Sequence, residues 1–274
     1  MHAPSGEVVA VLPVPQDLAA VDADREWGVA ALALGGRELR WARPGGEVAR
    51  LALPDEAADV AWISADEVAV SPVASRHRVE IWNLARGARM AAFGEEEPVA
   101  VPEAGVYLVR SVLLEHDAER NRLWTQDSFT GDIQVFDAEG RRVARAQVDN
   151  PRRRDLEAAL RTSDAAARRE GRTSPARYLI LRLALDERGT GYVVTACGDD
   201  RRSAHLTELP ADGGLRQRRI SLGAACCTRV FTVTDGWLVL YDSSSVPGPG
   251  CTTVEPLQDA SSSTSRTQPR EGLE

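Results

Sequence analysis

The residue types that most often do chemistry in proteins are scattered along this chain rather than grouped. The four histidines are His2, His77, His116 and His205, and none is paired with another histidine or a cysteine at the spacing of a zinc site. The most polar cluster, His-Asp-Ala-Glu at 116–119, is more typical of a solvated turn between strands than of an acid–base pair. The sequence therefore predicts no catalytic residue and no metal ligand among the histidines.

The cysteines and the small-residue loops give little support for covalent chemistry. The adjacent Cys226 and Cys227 have only Arg229 nearby to lower a thiol pKa. This favours buried structural thiols, with a redox pair as the alternative. The serines at 243–245 lack the Gly-x-Ser-x-Gly spacing of a nucleophile elbow, and the glycine spacings of phosphate-binding and dinucleotide-binding loops are missing. The sequence predicts no cofactor.

Four carboxylates in predicted inter-strand loops could in principle bind a metal ion: Asp127, Asp132, Asp199 and Asp200. Ca²⁺ takes several oxygen ligands that converge on one point. Carboxylates in turns more commonly accept hydrogen bonds from nearby backbone N–H groups. We favour that second interpretation, and a metal site at these residues remains the alternative.

The segment 151–176 differs most from its surroundings. It holds seven arginines and four carboxylates, a local charge of +3 in a chain of net charge −8. A possible N-cap at Asp155 followed by an alanine-rich run predicts a short, exposed helix. A solvated helix with internal ion pairs is the simpler interpretation. The functional interpretation is a docking element for a protein with an acidic surface, contacted by Arg152, Arg153, Arg154, Arg161, Arg168 and Arg169.

The elements that position these residues are predicted to be β-strands, because the chain repeats one hairpin pattern. Residues 79–93 read as a strand, a glycine-containing turn and a second strand,. Similar hairpins occur at 38–53, 133–148 and, more weakly, 205–220. Further short strands precede the second, third and fourth copies, at 60–63, 67–71, 107–114, 122–125, 179–185 and 191–195. Four strands in a unit of about 40 to 50 residues are typical of a β-propeller.

Two stretches resemble known propeller repeats. Residues 79–93 resemble the last two strands of a WD40 repeat, with Trp82-Asn83 where that family has Trp-Asp, and residues 114–136 resemble an NHL-type repeat. The Gly-His pair that opens a WD40 repeat is missing, and Arg76 stands about where the turn aspartate would be. The resemblance implies an all-β ring that presents a binding face to another protein. Some propeller enzymes, such as lactonase-like hydrolases, instead hold Ca²⁺ in the central channel.

The predicted architecture is five blades of four short antiparallel strands. Strands at 230–233, 237–241 and 251–254 begin the fifth blade, and residues 7–12 would supply its missing outer strand and close the ring. Six blades with one degenerate blade, or an open array, are the alternatives. The predicted domains are a propeller over 1–257, with the helical insertion at 151–176, and a disordered tail at 258–274.

Composition narrows the possible functions. All 33 basic residues are arginine, and the net charge of −8 with a pI of about 5.2 argues against a general nucleic-acid binder. The N-terminus has no basic n-region, and no segment approaches the run of about 18 apolar residues that a membrane span needs. We expect a cytoplasmic, bacterial, non-catalytic scaffold or adaptor that binds another protein. The alternative is a hydrolase or lactonase-like enzyme with a metal ion in the channel.

Overall fold

The fold is built from antiparallel strands arranged in five separate sheets. A computed structural model describes residues 19–24, 26–33, 35–73, 75–95, 112–127, 131–148, 180–195, 203–210, 216–221, 230–234, 237–242 and 251–256, with positions 158, 162, 166 and 169. Each sheet is a meander in which every strand pairs with the next along the chain. Among the described residues, no helix is long and apolar enough to cross a membrane.

The strands have the following bounds. The first sheet contains β1 (Ala20–Asp24), β2 (Gly28–Ala33), β3 (Glu38–Ala42) and β4 (Val48–Ala52). The second contains β5 (Ala57–Ser64), β6 (Glu67–Pro72), β7 (His77–Asn83) and β8 (Ala88–Glu95). The third contains β9 (Val112–Asp117), β10 (Arg122–Asp127), β11 (Asp132–Phe136) and β12 (Arg142–Gln147). The fourth contains β13 (Ile180–Leu185), β14 (Gly191–Thr195), β15 (Ser203–Leu209) and β16 (Arg216–Ser221). The fifth contains β17 (Val230–Thr234), β18 (Trp237–Asp242) and β19 (Cys251–Pro256).

The first strand of each sheet lies toward the axis of the ring. Strand β1 contacts β5, β5 contacts β9, β9 contacts β13, and β13 contacts β17. The last strands lie outside, and the exposed side chains of β8 and β12 show this most clearly. Small meanders that follow one another around an axis, inner strand beside inner strand, form a β-propeller.

Apolar side chains between neighbouring sheets hold the ring together. Trp62 and Trp82 belong to one buried cluster with residues of the first and second sheets. Leu114 and Leu123 of the third sheet pack against the second, and Trp124 packs with residues of the fourth. A single four-stranded sheet cannot bury both of its faces, so each blade depends on its neighbours.

The predicted hairpins are confirmed at β3–β4, β7–β8, β11–β12 and β15–β16. The sequence analysis missed two strands, β1 and β2. Strand β2, Gly-Val-Ala-Ala-Leu-Ala, is buried at all its positions and therefore lacks the alternation that marks a half-exposed strand.

The three strands predicted for the C-terminal part of the fifth blade are present as β17, β18 and β19. The structure describes four complete blades and a fifth sheet of three strands. The predicted closing strand at 7–12 and the predicted tail at 258–274 lie outside the described residues, and so do 107–111 of the strand predicted at 107–114.

At Gly36, the backbone of the first blade lies in direct contact with the backbone of the second blade. Gly36 has a φ of +86°, which favours glycine, and a Cβ at this position would lie 2.0 Å from the carbonyl oxygen of Ala57. The N–H of Ala57 donates to the carbonyl of Gly36 at 3.0 Å. The turn between β2 and β3 thus meets the inner strand of the next blade backbone to backbone, which leaves no room for a side chain.

Candidate functional site

The two ends of the ring differ in the lengths of their connections. At one end, hereafter the short-turn end, all connections are short, among them residues 65–66 and 118–121. At the other, the long-connection end, the connections include residues 96–111 and 148–179. Antiparallel meanders return every second connection to the same end. The connection that contains the predicted docking element therefore joins the end of β12 to the start of β13, and both of these strand ends lie at the long-connection end.

Little of the predicted docking element is described. Ala158, Thr162, Ala166 and Arg169 have helical backbone, and the Thr162 hydroxyl donates to the carbonyl of Ala158 at 2.9 Å, one turn earlier. The side chain of Arg169 is exposed. The other predicted contact residues lie outside the described residues: Arg152, Arg153, Arg154, Arg161 and Arg168. The bounds of the helix and its role stay predictions.

The connection that carries this element leaves the ring beside a buried ionic cluster. Asp132, the first residue of β11, forms a salt bridge of 2.8 Å to Arg78 of the second blade. Its other carboxylate oxygen accepts a hydrogen bond of 2.6 Å from Arg145 of β12. We call Asp132, Arg78, Arg145 and Gln134 the Asp132 cluster. It adjoins the start of the connection, since the N–H of Val148 donates to the carbonyl of Gly131 at 2.9 Å.

Two charged side chains of the Asp132 cluster are buried and the third is exposed. The side chains of Arg78 and Asp132 are 3% and 7% exposed, whereas that of Arg145 is 59% exposed. The amide of Gln134 donates to the same Asp132 oxygen as Arg78, at 2.8 Å. The guanidinium of Arg78 also lies within hydrogen-bonding range of the Thr125 hydroxyl, at 3.5 Å. The cluster thus clamps the second blade to the third at the long-connection end.

The clamp keeps Asp132 ionised. Burial opposes ionisation, but hydrogen bonds from Gln134 and Arg145 and the positive charges of Arg78 and Arg145 outweigh it, so the pKa of Asp132 lies below its ordinary value of 3.8,. Both carboxylate oxygens are occupied by donors. A carboxylate held in this way is a poor general base at neutral pH, and its chemical role in this arrangement is structural.

A second buried carboxylate is held in a similar way. Glu80 of β7 is 2% exposed and accepts hydrogen bonds from the indole N–H of Trp82 at 3.2 Å and from Arg89 at 2.6 Å. Arg78 and Glu80 alternate with the apolar Val79 and Ile81 in β7. By itself, this alternation predicts that Arg78 and Glu80 lie on a face of the strand that is exposed to solvent. Sequence reasoning missed both groups because β7 is covered on both faces by neighbouring blades.

Carboxylates on the inner strands join neighbouring blades. Asp22 of β1 accepts a hydrogen bond of 2.8 Å from the backbone N–H of Trp62 in β5. Asp59 of β5 accepts one of 2.9 Å from the N–H of Leu114 in β9. An inner strand has an edge without a partner strand, so its N–H groups need acceptors. These two aspartates provide acceptors from the preceding blade.

Two of the four carboxylates considered for a metal site are described, and they lie at the adjoining ends of the paired strands β10 and β11. Asp132 belongs to the Asp132 cluster, and Asp127 is buried at 3% exposure, with its backbone carbonyl accepting from Gly131 at 2.9 Å. Asp199 and Asp200 lie outside the described residues. Within the described ranges, no group of three or more histidine, cysteine or carboxylate side chains is placed to hold a metal ion.

The polar cluster at 116–119 forms a turn at the short-turn end. Asp117 accepts a hydrogen bond of 3.2 Å from the backbone N–H of Arg120, and a ring nitrogen of His116 lies 3.3 Å from the side-chain oxygen of Asn121. Asn83, in the position of the WD40 aspartate, accepts from the N–H of Arg86 at 2.9 Å. Turn capping accounts for Asp117 and Asn83. The sequence predicted a solvated turn at 116–119, whereas Asp117 is only 7% exposed.

The remaining groups add little. Cys226, Cys227 and the serines at 243–245 lie outside the described residues, and for Cys251 the structure describes only the backbone, at the start of β19.

Comparisons with known proteins agree with the architecture. No family model matches the chain, and no curated protein matches it in sequence. Among solved structures, it is similar to virginiamycin B lyase from Staphylococcus aureus, with 9% identity and a TM-score of 0.53 over 88% of this chain and 70% of that one. It is similar to a member of the DUF4221 family from Bacteroides vulgatus, with 9% identity and a TM-score of 0.55 over 88% and 79% of the two chains. At such identities the likeness shows a shared β-propeller fold.

Proposed function

We propose that this protein is a non-catalytic β-propeller that serves as a protein-binding scaffold or adaptor in a bacterial multi-protein assembly. The observation that carries the proposal is the position of the Asp132 cluster beside the start of the arginine-rich connection 148–179. A buried ion pair beside the point where the basic connection starts suits a docking element, because groups that are ordered in advance lower the entropy lost on binding.

The partner in this proposal is a protein with an acidic surface, met in the cytoplasm, and neither a nucleic acid nor a membrane. The basic segment stands out against a chain of net charge −8. Arginine suits such contacts because its planar guanidinium can donate two parallel hydrogen bonds to one carboxylate. The carboxylates of Asp22, Asp59, Asp117 and Glu80 also support a non-catalytic role. Asp22 and Asp59 join neighbouring blades, Asp117 caps a turn and Glu80 pairs with an arginine.

Capture from a lysate of the native host tests the proposal. The bait is the full-length protein, compared with a variant in which the six predicted contact arginines, Arg152, Arg153, Arg154, Arg161, Arg168 and Arg169, are changed to glutamine. The matched control changes exposed arginines of the first blade, Arg37 and Arg50, to glutamine. A stoichiometric partner that the control retains and the six-fold variant loses supports the proposal. A protein that stays partnerless overturns it.

A second candidate is a propeller hydrolase or lyase that uses a metal ion in the central channel. The similarity to virginiamycin B lyase supports the enzymatic part of this candidate. Elemental analysis of the purified protein separates the two candidates. One equivalent of a bound metal, lost when Asp127 is changed to asparagine, would favour the enzyme. Metal-free protein that still captures its partner would favour the scaffold.

A further inference from the structure

Strand β10 has two faces, and each packs against a different neighbouring blade. Leu123 belongs to the apolar cluster shared with the second blade, whereas Trp124 belongs to the cluster shared with the fourth. Because residues two apart share a face of a strand, Thr125 lies on the side of the second blade and Gln126 on the side of the fourth. The Thr125 hydroxyl accordingly lies 3.5 Å from the guanidinium of Arg78 in the second blade.

The side chain of Gln126 is buried in a largely apolar interface. The residue is 0% exposed, and the residues directly opposite it on the two neighbouring strands are Leu113 of β9 and Ile133 of β11. Residues directly opposite each other project to the same face of a sheet. Ile133 is 1% exposed and belongs to the cluster that contains Leu183 of the fourth blade. The amide of Gln126 therefore has apolar neighbours on both sides within its own sheet.

Three buried polar atoms on this face have no hydrogen-bond partner among the described residues. They are Nε2 and Oε1 of Gln126 and Nε1 of Trp124. A primary amide can donate two hydrogen bonds and accept two, and an indole can donate one. Leaving such groups unpaired in a protein interior is unfavourable, because in the unfolded chain they are bonded to water. The two side chains therefore need a partner that both donates and accepts.

The other buried glutamine of this blade is bonded within the protein. Gln134 lies directly opposite Thr125 and shares its face. Its amide nitrogen donates to Asp132 at 2.8 Å, and its amide oxygen lies 3.4 Å from the guanidinium of Arg142. A glutamine on the side of the second blade thus has charged partners, whereas Gln126 on the side of the fourth has none among the described residues.

Trp124 and Gln126 are close enough to share one small partner. Residues rise about 3.3 Å each along a strand, so their Cα atoms lie about 6.6 Å apart on one face. A Cβ on Gly191 of β14 would lie 2.9 Å from Cζ3 of Trp124, and Nε1 is on the far side of the fused ring from Cζ3. The indole N–H thus points away from Gly191, and a molecule between the two long side chains can contact both.

We propose that Trp124 and Gln126 hold an ordered internal water molecule between the third and fourth blades, at what we call the Gln126 site. Water can accept hydrogen bonds from the Trp124 indole and the Gln126 amide nitrogen and can donate one to the Gln126 amide oxygen. Internal water molecules typically make about three such bonds. An ion fits poorly, because the three atoms are uncharged and combine donors with an acceptor. The site belongs to the interior of the ring and does not depend on the proposed partner binding.

Magnetisation transfer between water and the Trp124 indole hydrogen, measured by nuclear magnetic resonance on the isotope-labelled full-length protein, tests the Gln126 site. A water molecule held there gives nuclear Overhauser and rotating-frame signals of opposite sign at this hydrogen. Exchange of the indole hydrogen with solvent gives signals of the same sign. Trp124→Phe removes one of the six indole signals and thereby assigns it. Wild-type protein without the water contact would overturn the inference, whatever the variants show.

Gln126→Met is the test variant, because methionine has a similar length but no amide. We expect it to lose the water contact at the Trp124 indole. Thr125→Val is the matched control, since Thr125 is also 0% exposed but lies on the opposite face, and it should keep the contact. Unchanged positions of the other five indole signals verify that each variant is folded. A contact that persists in Gln126→Met, or that Thr125→Val loses as well, would show that Gln126 does not hold the water.

Discussion

Changing Asp132 to asparagine leaves the guanidinium of Arg78 buried without its carboxylate. The two side chains are 7% and 3% exposed, so water cannot replace the lost partner. Removing one member of a buried ion pair costs about 3–5 kcal/mol, a large part of the roughly 5–15 kcal/mol that stabilises a typical domain. Arg145 adds little to this loss, because its side chain is 59% exposed and can be hydrated again,.

Urea unfolding followed by tryptophan fluorescence measures this loss. With a slope of about 3 kcal/mol per molar urea, a loss of about 3–5 kcal/mol should lower the midpoint by roughly 1 to 1.7 M. The matched control is Asp66→Asn, which breaks the salt bridge to Arg43. Both side chains of that pair are about half exposed, so this variant should stay within about 1 kcal/mol of wild type. Adding Arg78→Met to Asp132→Asn should restore much of the lost stability, because no buried charge then remains.

The same clamp predicts a pH dependence. The pKa of Asp132 is lowered in the folded protein, while in the unfolded chain it is about 3.9. The folded state therefore gains stability from Asp132 above the unfolded pKa and loses that gain as the pH falls through the folded pKa. The difference in stability between wild type and Asp132→Asn should accordingly shrink as the pH is lowered below about 4.

Two results would refute the clamp. One is an Asp132→Asn protein that unfolds within about 1 kcal/mol of wild type at neutral pH, the range of an exposed ion pair. The other is a stability difference that stays constant on acidification, because the loss would then not depend on the charge of Asp132.

Three further predictions concern backbone contacts and one phenol. Gly36→Ala should destabilise the protein by several kcal/mol, because the left-handed backbone strain of about 1–2 kcal/mol adds to a clash at 2.0 Å. A Cβ on Gly35 meets nothing within 4 Å, so Gly35→Ala should show the strain alone. Asp22→Ala should speed hydrogen exchange at the Trp62 amide by removing its acceptor,. Tyr192 should ionise well above its ordinary pKa of 10.0, because burial and the charge of Asp186 raise its pKa, as ultraviolet titration can show.

Each of these predictions has its own contradictory result. Equal urea midpoints for the two glycine variants would mean that the close approach of the first and second blades is absent. For Asp22→Ala, the internal control is the backbone amide of Leu114, which donates its hydrogen bond to Asp59. Faster exchange at both the Trp62 and the Leu114 amides would indicate general loosening of the ring. A Tyr192→Phe variant that leaves the high-pH part of the titration unchanged would assign that ionisation to another tyrosine.

Local patterns in the sequence determined most of the strands. Short apolar runs on either side of turns with glycine, aspartate or asparagine located the outer hairpins, because both signals depend on residues close in sequence. The same reasoning correctly assigned Asp117 to a turn, since an Asx turn depends only on residues close in sequence,. The repetition of these hairpins predicted a ring of small sheets.

Contacts between blades were decided by the tertiary structure alone. Arg78 and Asp132 are 54 residues apart, and neither strand shows by its own pattern that the other covers it. The register shifts opposite Ile81 and Trp82 in β7–β8, and opposite Val135 and Phe136 in β11–β12, likewise depend on how two strands pair. Strand β2 was missed for the same reason, since burial on both faces removes the alternation that sequence reasoning uses,. The sequence determined each hairpin through local periodicity, and stacking around the axis decided which polar side chains became buried partners.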